Sequence, residues 1–200
     1  MAEAIDKGRR QLLTAATTLT GAVGVAFAAV PFLSSWKPSA RAKALGAPVE
    51  IDISKLEPGA MIKIRWRGKP VLVVRRTPEM IESLTRHDAL LADPGSDVPK
   101  QPDYAKNTSR AIKPEFLVLV GVCTHLGCLP QNRFAPGASA DGVLTADWPG
   151  GFFCPCHGSK FDLAGRVFRG VPAPVNLEVP PYSFADDSHI VIGLDPAKVA

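Results

Sequence analysis

The sequence is short of the residues that do redox and metal chemistry. Its 200 positions include only four cysteines, four histidines and two tyrosines. No low-complexity tract and no internal repeat is present, which leaves a globular chain of ordinary composition, with room for one domain or a small domain plus an appendage. The globular part also has no charge excess. The formal net charge of +4 arises near the start, where residues 1–49 hold six Lys/Arg against two acidic residues, whereas residues 50–200 hold seventeen of each. A phosphate-binding surface needs clustered cations, so this pattern argues against a nucleic-acid partner. The cations flank an apolar segment instead.

That segment, "QLLTAATTLTGAVGVAFAAVPFL" (residues 11–33), has no charged side chain. At about 1.5 Å per residue, roughly 20 helical residues cross the hydrocarbon core, so it is long enough to span a bilayer. Its hydrophobicity is modest, and Gly21 and Gly24 offer flat surface where a neighbouring helix could approach. Just upstream, "KGRRQLL" places Arg9 and Arg10 before the apolar run, a pattern similar to the twin-arginine export signal. An ordinary cleaved signal, with "ARA" at Ala40–Ala42 as its cleavage site, is the rival; the run exceeds the roughly 7–15 residues usual for such signals, which favours a retained anchor. The expected organisation is a cytoplasmic N-terminus over 1–10, a transmembrane anchor over 11–33 and a flexible tether over 34–48, with Trp36 at an interface position. A head domain follows over 49–200.

From Val49 the hydrophobic period is mostly two. "VEIDIS", "MIKIRW" and "VLVVRR" predict strands, with "RGKP" as the turn between the last two. "FLVLVGV" predicts a buried strand and "SHIVIGL" an edge or hairpin strand. A short helix is expected after Thr77, an N-cap followed by Pro78. Nineteen prolines make the rest rigid and loop-rich. The fold expected is mostly β and antiparallel.

All four cysteines and two histidines fall into "CTHLGC" (Cys123, His125, Cys128) and "CPCHGS" (Cys154, Cys156, His157). A structural zinc site would leave two cysteines over and needs an unusual Cys-x-His spacing. A pure disulfide framework ignores the histidines. His87 and His189 lie outside both boxes and are expected at the surface.

The two boxes resemble those of the Rieske iron-sulfur proteins, with C-x-H in one loop and C-x-x-H in the other. The resemblance implies that Cys123 and Cys154 bind one iron of a [2Fe-2S] cluster and His125 and His157 the other. It further implies that Cys128 and Cys156 form a disulfide joining the loops, as in the quinol-oxidising branch, and that Ser159 donates to a bridging sulfide. Backbone amides around Gly127 and Gly158 are expected near the sulfurs. "KPEFLVLVGVCTHLGC", "RTPEMI", "LADPGSD", "SKLEPG" and "VPAPVNLEVPPY" extend the likeness to the iron-sulfur subunits of ubiquinol-cytochrome c reductase. Implied with it are a Rieske-type β domain with an inserted cluster-binding part over about 115–175, and a "GVPAPV" loop covering the cluster. Cytochrome b, cytochrome c1, ubiquinol and membrane lipid are the implied partners in a dimeric complex. A disulfide needs an oxidising compartment, which places the head in the periplasm of a bacterial inner membrane. A soluble periplasmic carrier, like the small subunit of arsenite oxidase, is the alternative.

Charge counting gives a reason for the histidines. Two ferric ions, two sulfides, two thiolates and two neutral imidazoles sum to about zero, which favours adding an electron. Rieske potentials run from about −150 to +300 mV against about −400 mV for plant-type ferredoxins. Imidazole also brings a second nitrogen that exchanges a proton near neutral pH, and the resemblance implies that His157 meets the quinol, with His125 also at the exposed tip. Two departures stand out: Phe161 occupies a position where the family often has tyrosine, and a long Gly/Pro/Ala-rich segment separates the boxes.

Overall fold

The computed structural model describes residues 6–196. The chain divides into two units, Met1–Ala44 and Leu45–Ala200, so the expected segments 1–10 and 49–200 lie partly outside the described residues.

In the first unit, Asp6 caps helix α1 (Lys7–Ser34), its carboxylate accepting from the amides of Gly8 and Arg9 at 3.0 and 3.1 Å. Twenty-eight residues reach about 42 Å, more than the roughly 30 Å hydrocarbon core. None of the helix is buried within the protein; Leu12 and Phe27 are 71% and 78% exposed. Thr14, Thr17, Thr18 and Thr20 each fold a hydroxyl back onto the carbonyl four residues earlier. That satisfies their polarity inside the helix, as lipid requires. The helix contains the whole expected anchor 11–33. Within the expected tether a short helix α2 (Ala40–Leu45) forms.

The second unit is built from three antiparallel three-stranded sheets. β1 (Val49–Asp52), β8 (Tyr182–Phe184) and β9 (His189–Ile192) form one, in the order β1-β9-β8. β9 forms the expected hairpin with β8, but it is a central strand and not an edge. Its alternation buries Ile190 and Ile192, and its other edge pairs with β1, far away in sequence. β2 (Met61–Trp66), β3 (Lys69–Arg75) and β4 (Phe116–Val120) form the second sheet, with β3 in the middle. Arg67 and Gly68 join β2 to β3 with φ of +50° and +75°, the two-residue turn whose twist suits a hairpin. All five residues of β4 are buried, which explains its unbroken apolar run. Thr77 caps α3 (Pro78–Ser83), its hydroxyl accepting from the Met80 amide.

β5 (Gln131–Arg133), β6 (Gly151–Cys154) and β7 (Ser159–Phe161) make the third sheet, with β6 central. One hydrophobic core draws on all three sheets and includes Cys123 and Cys154. The roots of both boxes thus sit in close-packed interior, which holds their backbones still.

Candidate metal centre

Box one follows β4, and box two is the turn between β6 and β7. The two fold alike. In each, the glycine four residues after the first cysteine donates its amide back to that cysteine's carbonyl: Gly127 to Cys123 and Gly158 to Cys154, both at 3.0 Å. Both glycines have positive φ, +84° and +79°, a conformation costly for residues with a Cβ. Each box is thus a closed turn presenting a buried cysteine at its base and a histidine further out.

Cys123 and Cys154 are both 2% exposed and free. Their thiols interact directly, and burial pushes the Cys154 thiol up, against the backbone amides of Cys156 and His157 that donate towards its sulfur. Those two amides, rather than the glycine amides, are the ones directed at the sulfur; Gly127 and Gly158 spend theirs closing the turns. His125 and His157 meet edge-to-face with ring centroids 4.8 Å apart. His125 is half-buried, with its Nδ1 enclosed and without a hydrogen-bond partner, whereas His157 is exposed.

Cys128 and Cys156 form a disulfide across the boxes, 28 residues apart in sequence. The sulfurs of Cys128, Cys154 and Cys156 lie within 4.8 Å of one another. Two of these are already bonded to each other, so this group is the staple lying against Cys154, not a separate three-thiolate site.

The model for the "Rieske [2Fe-2S] domain" matches residues 48–182, and that for the "Ubiquitinol-cytochrome C reductase Fe-S subunit TAT signal" matches residues 2–39. The chain belongs to the Rieske family. It is 58% identical over 194 residues to the ubiquinol-cytochrome c reductase iron-sulfur subunit of Allochromatium vinosum, covering 97% of this chain and 92% of that one. The subunit of the same name from Blastochloris viridis is 44% identical over 185 residues, covering 92% of each, and that of Rhodospirillum rubrum is 43% identical over 189 residues, covering 94% and 93%. With the apolar helix α1, these matches make the chain a membrane-anchored Rieske subunit.

The residues present fit the [2Fe-2S] cluster of a Rieske domain. Two buried free thiols lie side by side and an enclosed imidazole nitrogen lacks a hydrogen-bond partner; a thiophilic metal bound between them would stabilise the thiolates and give that nitrogen a partner. Around this donor set the proline loop, residues 170–175, is tied to both boxes. Thr124 Oγ1 donates to the Val175 carbonyl at 2.7 Å, and the Ala173 amide donates to Ser159 Oγ at 3.1 Å. Ser159 is fully buried. Its oxygen is engaged as an acceptor, so its own proton is free to point elsewhere. Phe161 is also fully buried, in the core that contains Cys123 and Cys154.

Sequence reasoning missed the support behind box two. Asp162, Arg166, Arg110 and Arg76 are all 1% exposed or less. Arg166 Nε donates to Asp162 at 2.8 Å, and its other nitrogens donate to Asp88 and to the Leu84 carbonyl. Arg110 donates to the carbonyls of Ala164 and Leu177, and Arg76 to that of Leu163. The turn after β7 is therefore held by three guanidinium groups. Burial works against the charged Asp162, yet His87 and Arg166 outweigh it and hold this carboxyl below the usual range. His87 is not a surface residue: it is 6% exposed, with Nε2 3.5 Å from Asp162, too long for a well-formed hydrogen bond, and its ring stacks on Phe168. Only the apolar residues around it could have indicated burial, since an isolated histidine carries no periodic signal. His189 does stay near the surface, paired with Asp186 at 3.0 Å.

Proposed function

We propose that this protein is the electron-transfer subunit of a ubiquinol-cytochrome c reductase in a bacterial inner membrane, taking one electron from ubiquinol and passing it to cytochrome c1. The observation that carries the reading is the pair of stapled boxes, whose two buried thiols and two clustered imidazoles make a mixed sulfur and nitrogen donor set. Cys123 and Cys154 would hold one iron of the cluster, and His125 and His157 the other. A [2Fe-2S] cluster bound there supplies a one-electron acceptor at a potential raised by its imidazole ligands.

The chain's own residues supply the rest. His157, the exposed imidazole, would meet the quinol bound on cytochrome b and take up its proton at the ring nitrogen that it does not use as a ligand. The disulfide holds the two boxes in register. Ser159 would donate its hydroxyl proton to a cluster sulfur, and the loop 170–175 would limit water access. Residues 1–10 stay in the cytoplasm, residues 11–33 cross the bilayer in contact with lipid, and residues 34–48 tether the head in the periplasm. The tether lets the head move between cytochrome b and cytochrome c1 in a dimeric complex.

The test is electron paramagnetic resonance of membranes that were washed with carbonate and then reduced with ubiquinol. A signal from a one-electron-reduced cluster, co-purifying with haem-bearing subunits, is expected. Release of the protein by carbonate without haem partners would point to a soluble carrier instead. A His157→Cys variant retaining the wild-type signal and potential would remove His157 from the ligand set.

A further inference from the structure

The segment between the boxes, residues 134–150, connects β5 to β6 and is not loose. Leu144 and Trp148 are 3% and 5% exposed and share a small core with Phe153, against which Phe168 packs. Trp148 organises the segment: its Nε1 donates to the Arg133 carbonyl at 2.9 Å, and its own carbonyl accepts from the Gly137 amide at 2.8 Å. Its ring lies 5.8 Å from that of Phe168, and so does the ring of His87, stacked at 22°.

Phe168 stands two residues before the proline loop. It forms a β-bridge with Leu91, and the next residue, Arg169, donates from its backbone amide to the Leu90 carbonyl and from Nε to that of Leu91, at 2.9 and 2.8 Å. Beyond this point Ala173 is buried in the main core and Val171 packs against it, but the loop makes few hydrogen bonds. Pro172 and Pro174 have no amide to donate, and both are exposed. The loop's bonds to the boxes number two, Ala173 to Ser159 and Thr124 to Val175. A short segment so held depends on how firmly its ends are fixed.

We propose that the segment between the boxes acts as a brace, with Trp148 and His87 as positioning residues that fix Phe168 and thereby the entry into the proline loop. The segment's role is then to keep the loop seated over Ser159 and Thr124. Trp148 also shares its core with Phe153, and the double variant below separates the route through Phe168 from that contact. The inference rests on the reading of residues 170–175 as the cover of the cluster.

The test is amide hydrogen exchange on the full-length, cluster-loaded protein in detergent. Trp148→Ala removes the ring contact with Phe168 and the bond to Arg133, and exchange at the Arg169 and Ala173 amides, which donate to the Leu90 carbonyl and to Ser159 Oγ, should accelerate on the order of tenfold. Amides of Val71–Val74 and Leu117–Val120 should keep their wild-type rates. Trp148→Phe, which restores a ring, should restore protection. Phe168→Leu leaves the segment's own residues unchanged and decides the matter even if Trp148→Ala does not fold; it should loosen the same two amides, and adding it to Trp148→Ala should loosen them no further. Unchanged exchange at these amides in folded Phe168→Leu protein, or additive effects of the two changes, would overturn the brace. Iron release to a chelator addresses the cover separately: loosened amides with wild-type iron release would overturn the cover while supporting the brace.

Discussion

Arg166→Met probes the support of box two most directly. Arg166 and Asp162 are both fully buried, and the substitution keeps an unbranched apolar stem while removing the charge and all its donors. Asp162 then loses its guanidinium partner in the interior and keeps the amides of Ala164 and of residue 166, at 2.9 and 2.7 Å, with His87 3.5 Å away. The Leu84 carbonyl loses its donor as well. Breaking one side of a buried ion pair costs about 3–5 kcal/mol. That is a large part of the roughly 5–15 kcal/mol of a typical domain. At about 2–4 °C per kcal/mol for a domain of this size, the unfolding midpoint should fall by roughly 6–20 °C. Near-ultraviolet circular dichroism during heating would read it. The double variant Arg166→Met/Asp162→Asn should recover at least about 1.5 kcal/mol, because asparagine still accepts from both amides but carries no charge. A single variant that loses less than about 1 kcal/mol, or a double variant with no recovery, would refute the account of Arg166 as the counter-charge.

Four further outcomes follow from the same geometry. In Gly151→Ala the new Cβ would sit 2.0 Å from the Phe161 carbonyl oxygen, so no folded protein should be recovered, whereas Gly158→Ala meets open space and should cost only the positive-φ strain, about 1–2 kcal/mol by urea denaturation. Phe161→Tyr should raise the cluster's midpoint in a redox titration if the hydroxyl reaches a cysteine sulfur; an unchanged midpoint with about 1–3 kcal/mol lost would mean that it found no partner. Reducing Cys128–Cys156 opens a loop spanning 28 residues and should remove about 3–4 kcal/mol, measured as a shift in denaturation midpoint with and without reductant. Asp162 is held below the usual carboxyl range, so the unfolded chain takes up its proton first as pH falls. Its contribution is complete above the unfolded value of about 3.9 and is lost as pH drops through the folded one, so the stability gap between wild type and Asp162→Asn should shrink below about pH 4.

The strands whose residues alternate or run unbroken, β2, β3 and β4, were legible because one short segment carries its own periodicity. Thr77 and Pro78 announced α3 in the same way. β9's hairpin with β8 was legible, but its central place was not, because that depends on a partner elsewhere: β1 begins 140 residues before it. Likewise the boxes could be found by spacing, but the paired turns that close on Gly127 and Gly158 needed the backbone. The staple between Cys128 and Cys156 was implied by family likeness, and its formation depends on two loops meeting.

The sequence by itself determined the apolar helix, the strand content and the chemistry on offer, because residue type and local period are properties of a single segment. Only the tertiary structure decided what lies behind that chemistry. Asp162 and its arginines, His87 against Phe168, and Trp148 at the base of the proline loop come from segments up to about 80 residues apart. Burial decides what such charges and rings do, and burial belongs to the packed whole.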